Sequence, residues 1–150
     1  MKRYITFILL VALFAPLCQI DAKGGRNRDE WFKKIREYKH EFIANELGLT
    51  PEQQQKFFPI YDKMEDEIFK VTNETRQLEI KVSEGNVTDL EYDNATRAIS
   101  ELKQKEAAIE LKYLDHFKSV ISSKQLFMLK KAERKFAHEV VKKRNKRCKK

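Results

Sequence analysis

The hydrophobic positions of this chain recur at helical intervals along four segments. In the second segment they are spaced alternately by four and three residues, which is a heptad seam of the kind that packs one helix against another. The seam consists of Phe57, Tyr61, Met64, Ile68, Val71, Thr75, Leu78 and Val82. No alternating apolar pattern is long enough for a β-strand. The pattern therefore predicts an all-α chain.

A second seam follows a clear turn signal at residues 83–87, after which Thr88 and Glu91 form a capping-box pattern. Its members are Tyr92, Ala95, Ile99, Leu102, Glu106, Ile109, Tyr113, Phe117 and Val120. Two seams joined by a short turn predict a long antiparallel helical hairpin. Glu106, the one charged member, is expected either near the open end of the hairpin or paired with a Lys or Arg. Pro59 predicts a kink or a short break near the start of the first of these helices.

Two outer helices complete a predicted four-helix bundle. The first should begin near Asp29 and end at Gly48, a typical helix stop, and the fourth should open at Ser122. The apolar face of the first is Trp31, Ile35, Tyr38, Phe42 and Leu47, and that of the fourth is Leu129, Ala132, Phe136 and Val140. The second and fourth helices are preceded by related motifs.

These motifs are Leu49-Thr50-Pro51-Glu52-Gln53 and, 72 residues later, Ile121-Ser122-Ser123-Lys124-Gln125. In each, a hydroxyl oxygen can accept from the free N–H groups of a helix start, while the Gln three positions on can reach back to the cap. Pro51 falls at the first helical position, where its missing N–H costs nothing. The apolar stripes behind the two motifs align at the same offset, which indicates two related helical halves.

Residues 1–22 have the pattern of a secretory signal peptide. Lys2 and Arg3 precede a 13-residue stretch, largely apolar, and cleavage is expected after Ala22. That stretch is shorter than the roughly 20 residues that a membrane-spanning helix needs. Cys18 could carry lipid, but the bulky Leu17 before it disfavours lipidation.

The formal charge of +8 is concentrated at the C-terminus. Residues 142–150 carry +7, whereas residues 23–141 contain 22 basic and 22 acidic residues. This basic tail could weakly contact an anionic membrane or acidic partners, or it could be a solvated, disordered end; export argues against nucleic acid. Residues 23–28, with two glycines, are expected to be a flexible segment before one helical domain at 29–141. Cys148 would be the only mature cysteine, either a link between two chains or a solvated bystander.

The sequence lacks the usual catalytic signatures, namely a nucleotide-binding loop, a nucleophile elbow, a Cys pair and an HExxH motif. Neither enzymatic activity nor a cofactor is therefore predicted. His40, His116 and His138 lie on three predicted helices, and His40 with Glu37 and Glu41 is a conceivable metal-binding cluster. Acidic residues are so frequent that such neighbours arise by chance, so no metal site is predicted.

An exported, all-helical chain with Leu49, Thr50 and Gln53 at one helix start, and a degenerate copy before the last helix, resembles the Spy/CpxP family of LTxxQ-motif periplasmic proteins. The resemblance covers residues 29–141. It implies a thin, curved fold that dimerises into a cradle and binds unfolded or partly folded proteins without ATP. It also implies a role in envelope stress, as a chaperone or as an accessory regulator of a sensor kinase. A related branch responds to metals, but this sequence has no histidine-rich segment.

Aromatic side chains outside the seams are candidates for client binding, because a chaperone without ATP needs weak apolar contacts mixed with flexible charges. The candidates are Phe32, Phe58, Phe69 and Phe127, together with Lys33, Lys34, Lys56, Lys130 and Lys131. The alternative for each aromatic is burial in the bundle or in a dimer interface. A homodimer is expected, since so thin a core should expose more apolar surface than a monomer tolerates.

Overall fold

The structure, a computed structural model, describes residues 25–147, with the side chains of 30–143 and 145. Within this range it contains four α-helices and no β-strand, which confirms the predicted all-α fold. The helices are α1 (Gly25–Leu47), α2 (Pro51–Glu84), α3 (Asp89–Lys118) and α4 (Ser123–Arg147). None of them is long and apolar enough to cross a membrane. The predicted signal peptide, Cys18 and Cys148 lie outside the described residues.

The described chain divides into two compact units. Unit 1 consists of residues 25–56 and 121–147, and so contains α1, the first turns of α2, and α4. Unit 2 consists of Phe57–Val120 and contains the rest of α2 and α3. The sequence pattern predicted one helical domain and did not indicate this division.

Unit 2 is a helical hairpin whose core is the predicted pair of seams. Six of the eight α2 positions are buried, namely Phe57, Tyr61, Met64, Ile68, Val71 and Thr75. From α3, Ala95, Tyr113 and Phe117 are buried against them. The ring centroids of Phe57 and Phe117 lie 5.2 Å apart, which places an aromatic cluster at one end of the hairpin. The seam weakens toward the turn, where Leu78 and Val82 are half-buried and Tyr92 is exposed.

The turn of the hairpin depends on Gly85 and Thr88. A Cβ atom at Gly85 would lie 3.0 Å from the Lys81 carbonyl oxygen, so the close approach of the chain favours glycine. Thr88 caps α3 as predicted: its hydroxyl accepts from the Glu91 N–H, and the Glu91 carboxylate accepts from the Thr88 N–H at 2.8 Å. These bonds from Thr88 lower the pKa of Glu91.

Unit 1 is built on an antiparallel pairing of α1 with α4. Lys143 contacts Tyr38, and Lys135 pairs with Glu46, so residue numbers fall along α1 as they rise along α4. The buried apolar residues are Ile43, Ala44, Leu47, Leu49, Ile121, Leu129, Ala132 and Phe136.

The buried face of α1 differs from the predicted one. Of the predicted residues only Leu47 is buried; Trp31 is 40% exposed and the other three are half-buried. The face instead centres on Lys39, Ile43 and Leu47, which are spaced by four residues. Lys39 is tolerated there because its apolar stem packs in the core, with Nζ 6.0 Å from the centre of the Phe136 ring.

Two helix ends differ from expectation. α1 begins at Gly25 rather than near Asp29, so residues 25–28 of the expected flexible segment are helical. The basic tail is helical through Arg147, because α4 continues along α1. α2 is one helix through Pro59, so of the predicted kink or short break the structure excludes the break.

Glu106 bonds to a threonine, whereas a Lys or Arg partner was one of its two predicted environments. The Thr72 hydroxyl lies 2.8 Å from Glu106 Oε1 and 3.0 Å from the Ile68 carbonyl oxygen. A hydroxyl on the facing helix thus gives the carboxylate a hydrogen-bond donor inside the hairpin.

Candidate functional site: paired helix caps and exposed apolar side chains

Both predicted capping boxes are formed. At the start of α2, the Gln53 N–H donates to Thr50 Oγ1 at 3.2 Å, and the Thr50 N–H donates to Gln53 Oε1 at 3.1 Å. At the start of α4, the Gln125 N–H donates to Ser122 Oγ at 3.2 Å, and the Ser122 N–H donates to Gln125 Oε1 at 2.9 Å. Each box satisfies N–H groups that a helix start otherwise leaves free.

The two boxes also contact each other within unit 1. Gln53 Nε2 lies 3.1 Å from Gln125 Oε1, and Gln125 Nε2 lies 3.2 Å from Gln53 Oε1, which forms a reciprocal amide pair. Each amide oxygen accepts from its own cap and from the partner amide, and the Gln125 nitrogen also donates to the Leu47 carbonyl oxygen at 3.3 Å. The sequence pattern indicated both glutamines but did not predict that they pair. The one signal was that they occupy the same position in the two motifs.

The end of α1 meets this amide pair through a glycine stop. Gly48 has φ 61°, the Leu49 N–H donates to the Ala44 carbonyl at 2.9 Å, and the Gly48 N–H donates to the Asn45 carbonyl at 3.3 Å. This is a Schellman motif, and the buried Leu49 and Ala44 supply its usual apolar residues. The end of α1 and the starts of α2 and α4 are therefore joined by hydrogen bonds. The chemistry of this junction is structural, since it holds three helix ends together.

The aromatic candidates for client binding differ in exposure. Phe127 is 79% exposed, Phe69 53% and Phe32 38%, whereas Phe58 is half-buried with its ring 5.3 Å from that of Phe57. Of the candidate lysines, Lys33, Lys34, Lys56 and Lys131 are exposed, and Lys130 is half-buried, 3.6 Å from the buried Glu133 carboxylate.

The structure exposes five further large apolar side chains that the sequence analysis did not select. These are Leu90 (68%), Leu111 (67%), Tyr92 (49%), Trp31 (40%) and Ile80 (37%). Leu90, Leu111 and Ile80 were missed because only aromatics outside the seams were considered, and Tyr92 and Trp31 were assigned to buried faces. Exposed apolar residues thus occur in both units.

The two units carry opposite net charges. Unit 1 has 17 basic and 8 acidic residues over its described range, a net +9. Unit 2 has 9 basic and 14 acidic residues, a net −5. Residues 23–141 are neutral only in sum, because they combine parts of both units. The positive charge is therefore a property of unit 1 and not of the tail alone.

The histidines do not form a metal centre in the described chain. His116 Nδ1 lies 3.2 Å from the Lys112 carbonyl oxygen, His40 is half-buried and His138 is exposed. Over residues 25–147 no group of three His, Cys, Asp or Glu side chains is placed to hold a metal ion. His40, Glu37 and Glu41 are therefore not arranged as a metal site.

A buried tyrosine of unit 2, Tyr113, is bonded to a carboxylate on the facing helix. The Tyr113 hydroxyl donates to Glu67 Oε1 at 2.7 Å, and Lys112 Nζ lies 2.9 Å from both carboxylate oxygens. The bond to Glu67, with burial, raises the pKa of Tyr113 to about 12. Hydrogen bonds from Lys112 and Tyr113 lower the pKa of Glu67. This cluster ties α3 to α2 at the edge of the hairpin core.

Comparison with protein-family models, with curated proteins and with solved structures finds no match to this chain.

Proposed function

We propose that this protein is an exported, ATP-independent chaperone of the Spy/CpxP type, which binds unfolded or partly folded proteins in the periplasm. The observation that carries the proposal is the exposure of eight large apolar side chains in the described residues, on helices rich in Lys and Glu. Single exposed apolar residues are ordinary on a protein surface, but here they occur on all four helices and in both units.

Such a surface suits weak and adaptable binding. Exposed aromatic and aliphatic groups such as Phe127 and Leu111 contact the apolar segments of an unfolded chain. Flexible charges beside them speed the encounter through long-range attraction. Because each contact is small, a client can dissociate without an energy source and fold.

The test is an aggregation assay with unfolded model clients. Purified protein at several-fold excess should slow aggregation without ATP, and Phe127→Ser with Leu111→Ser should weaken this effect several-fold. The matched control is His138→Ser with Gln104→Ser, which changes exposed polar residues on the same two helices and should leave the effect intact. Absence of any slowing by the parent protein would refute the proposal.

A second candidate function is favoured by the +9 charge of unit 1, namely accessory regulation of an envelope-stress sensor kinase through an acidic patch on its outer domain. Deleting residues 142–150 is a poor test, because Lys143 packs on Tyr38 and the deletion would remove helix packing too. Replacing Lys142, Arg144, Lys146 and Arg147 by Gln keeps Lys143. If this variant no longer represses the sensor kinase but still slows client aggregation, the regulator is favoured over the chaperone.

A further inference from the structure

One end of unit 1 combines basic and aromatic residues. Lys143 Nζ lies 2.7 Å from the Tyr38 hydroxyl oxygen and 4.0 Å from the centre of its ring, so the C-terminal part of α4 is held against the first half of α1. Trp31 lies seven residues, or roughly 10 Å of helix, before Tyr38. Arg147 lies four residues, or roughly 6 Å, after Lys143. Trp31 and Phe32 therefore belong to the same end of the helix pair as the basic residues of α4.

The positive charge of unit 1 is concentrated at this end. Residues 25–38 and 142–147 contain ten basic and three acidic residues, a net +7 of the +9 carried by the whole unit. The remaining described residues of unit 1 contribute only +2. Lys33 and Lys34, directly after the aromatic pair, are exposed.

The aromatic pair at this end is accessible. Trp31 is 40% and Phe32 38% exposed, and their rings contact edge to face with centroids 5.2 Å apart. Tryptophan is enriched at membrane–water interfaces because its ring has an apolar body and a polar N–H. Basic clusters next to such residues are attracted to anionic phospholipid headgroups.

We propose that this basic end, defined by residues 25–38 and 142–147, docks unit 1 on the surface of an anionic phospholipid bilayer. The exposed Lys33, Lys34 and Lys142 contact the headgroups, and Trp31 and Phe32 enter the interface. A bilayer is favoured over an acidic protein because of the two adjacent aromatic side chains beside the charges. An anionic bilayer has charged headgroups at its surface and an apolar layer directly beneath them, which the aromatic rings can enter. Docking would place the proposed chaperone at the membrane face, and it does not depend on chaperone activity.

Trp31 is the only tryptophan of the chain, so its fluorescence reports on this surface alone. The purified protein is mixed with vesicles of phosphatidylcholine, or of phosphatidylcholine with an equal part of phosphatidylglycerol. We expect Trp31 emission to shift to shorter wavelength only with the anionic vesicles. Raising the salt to about 0.5 M should reverse much of the shift, because salt screens charges on the protein and lipid.

Two pairs of variants locate the contact. Lys33→Gln with Lys34→Gln should weaken vesicle binding by about fivefold for each charge removed. The matched control, Lys124→Gln with Lys131→Gln, removes the same charge from exposed positions of the same unit, and Lys131 lies 12 residues, or roughly 18 Å of helix, from Lys143. It should change vesicle binding by less than about twofold, since this separation exceeds the screening length.

The second pair of variants tests the aromatic contact. Phe32→Ser should reduce the shift of Trp31 emission, whereas Phe127→Ser should not. Circular dichroism checks that each variant is folded.

Four results would overturn the proposal. The first is an equal response to zwitterionic and anionic vesicles, or none to either, with the parent protein. The second is an equal loss of binding in the two lysine variants. The third is a shift with poly-glutamate but not with anionic vesicles, which would assign the surface to an acidic protein. The fourth is a salt-sensitive doubling of mass without vesicle binding, which would assign it to the acidic unit 2 of a second copy.

Discussion

Gln53 and Gln125 each cap a helix and also bond to each other. Their backbone N–H groups and side-chain oxygens complete the capping boxes, and their amide groups then bond to each other and to the end of α1. An Asn is too short to reach both partners, and a Glu has no donor for the second bond. The geometry thus explains why glutamine occupies the third helical position in both motifs.

The amide pair predicts coupling between the two motifs. Gln125→Ala should lower the free energy of unfolding by about 1–2 kcal/mol, because it removes a cap and leaves partly buried groups without their bonds. Gln53→Ala should cost less in the Gln125→Ala background than alone, with a coupling of about 1 kcal/mol in a double-mutant cycle measured by urea unfolding. Gln55→Ala, at an exposed neighbouring position, should stay within about 0.5 kcal/mol of the parent. Purely additive costs would show that the two amides do not interact in solution.

Gly48 predicts a second local effect. Its φ of 61° is unfavourable for a residue with a Cβ atom, although open space surrounds the position. Gly48→Ala should therefore destabilise by about 1 kcal/mol through backbone strain alone, and Gly48→Asn, which tolerates this conformation better, should cost less. Thermal unfolding followed by circular dichroism measures both. Equal effects of Ala and Asn would contradict this account of the helix stop.

At the scale of elements, the α2–α3 hairpin is held by an apolar seam with polar ties at its edge. Thr72 bonds to Glu106, Lys105 lies 3.4 Å from Glu74, and Tyr113 bonds to Glu67. The first tie is semi-buried and the second is exposed, so the second contributes little. The Tyr113 tie is distinct because its donor is buried and titrates.

Tyr113 gives the hairpin a dependence on alkaline pH. Its pKa rises from 10.0 to about 12 on folding, so the protonated form is the one that folding favours. The stabilisation is complete below pH 10 and is lost as pH rises from 10.0 to about 12. Tyr113→Phe should lower stability by about 1 kcal/mol at pH 7, and this difference from the parent should shrink across that window.

Urea unfolding at several pH values measures the effect. The control is Tyr92→Phe, which changes an exposed tyrosine on the same helix and should give a difference that stays near zero at each pH. A Tyr113→Phe difference that is constant with pH would show that the tie is not formed. At acid pH the parent should lose stability as pH falls below 4.5, because the pKa of Glu67 is lowered by Lys112 and Tyr113.

At the scale of the whole molecule, the exposed apolar side chains favour association with a second copy. We propose a homodimer that covers part of the apolar surface, and we expect the purified protein to have twice the mass of one mature chain beginning at Lys23. Leu90→Ser with Ile80→Ser removes two exposed apolar side chains from the two helices of unit 2 and should favour the monomer. Light scattering and intact mass spectrometry test the mass and the start of the chain. A parent protein that is monomeric at high concentration would contradict the dimer.

Sequence patterns predicted most of the fold because it is made of local elements. The seam of α2, the stop at Gly48 and all three capping boxes depend on residues within a few positions of one another, and each was confirmed. The face of α1 was predicted less well. A helix that packs mainly against one partner buries a narrow stripe, so a lysine stem can enter that stripe while Trp31 stays partly exposed.

The sequence by itself determined where α1 ends, where α2, α3 and α4 begin and which α2 residues enter the core, because hydrogen-bond capping and apolar periodicity act over a few residues. Only the tertiary structure decided which ends of the chain meet. It brought Gln53 to Gln125 and Lys143 to Tyr38 across 72 and 105 residues. It also separated charges that cancel along the chain into a basic and an acidic unit. Such pairings depend on how helices pack, and no local pattern specifies them.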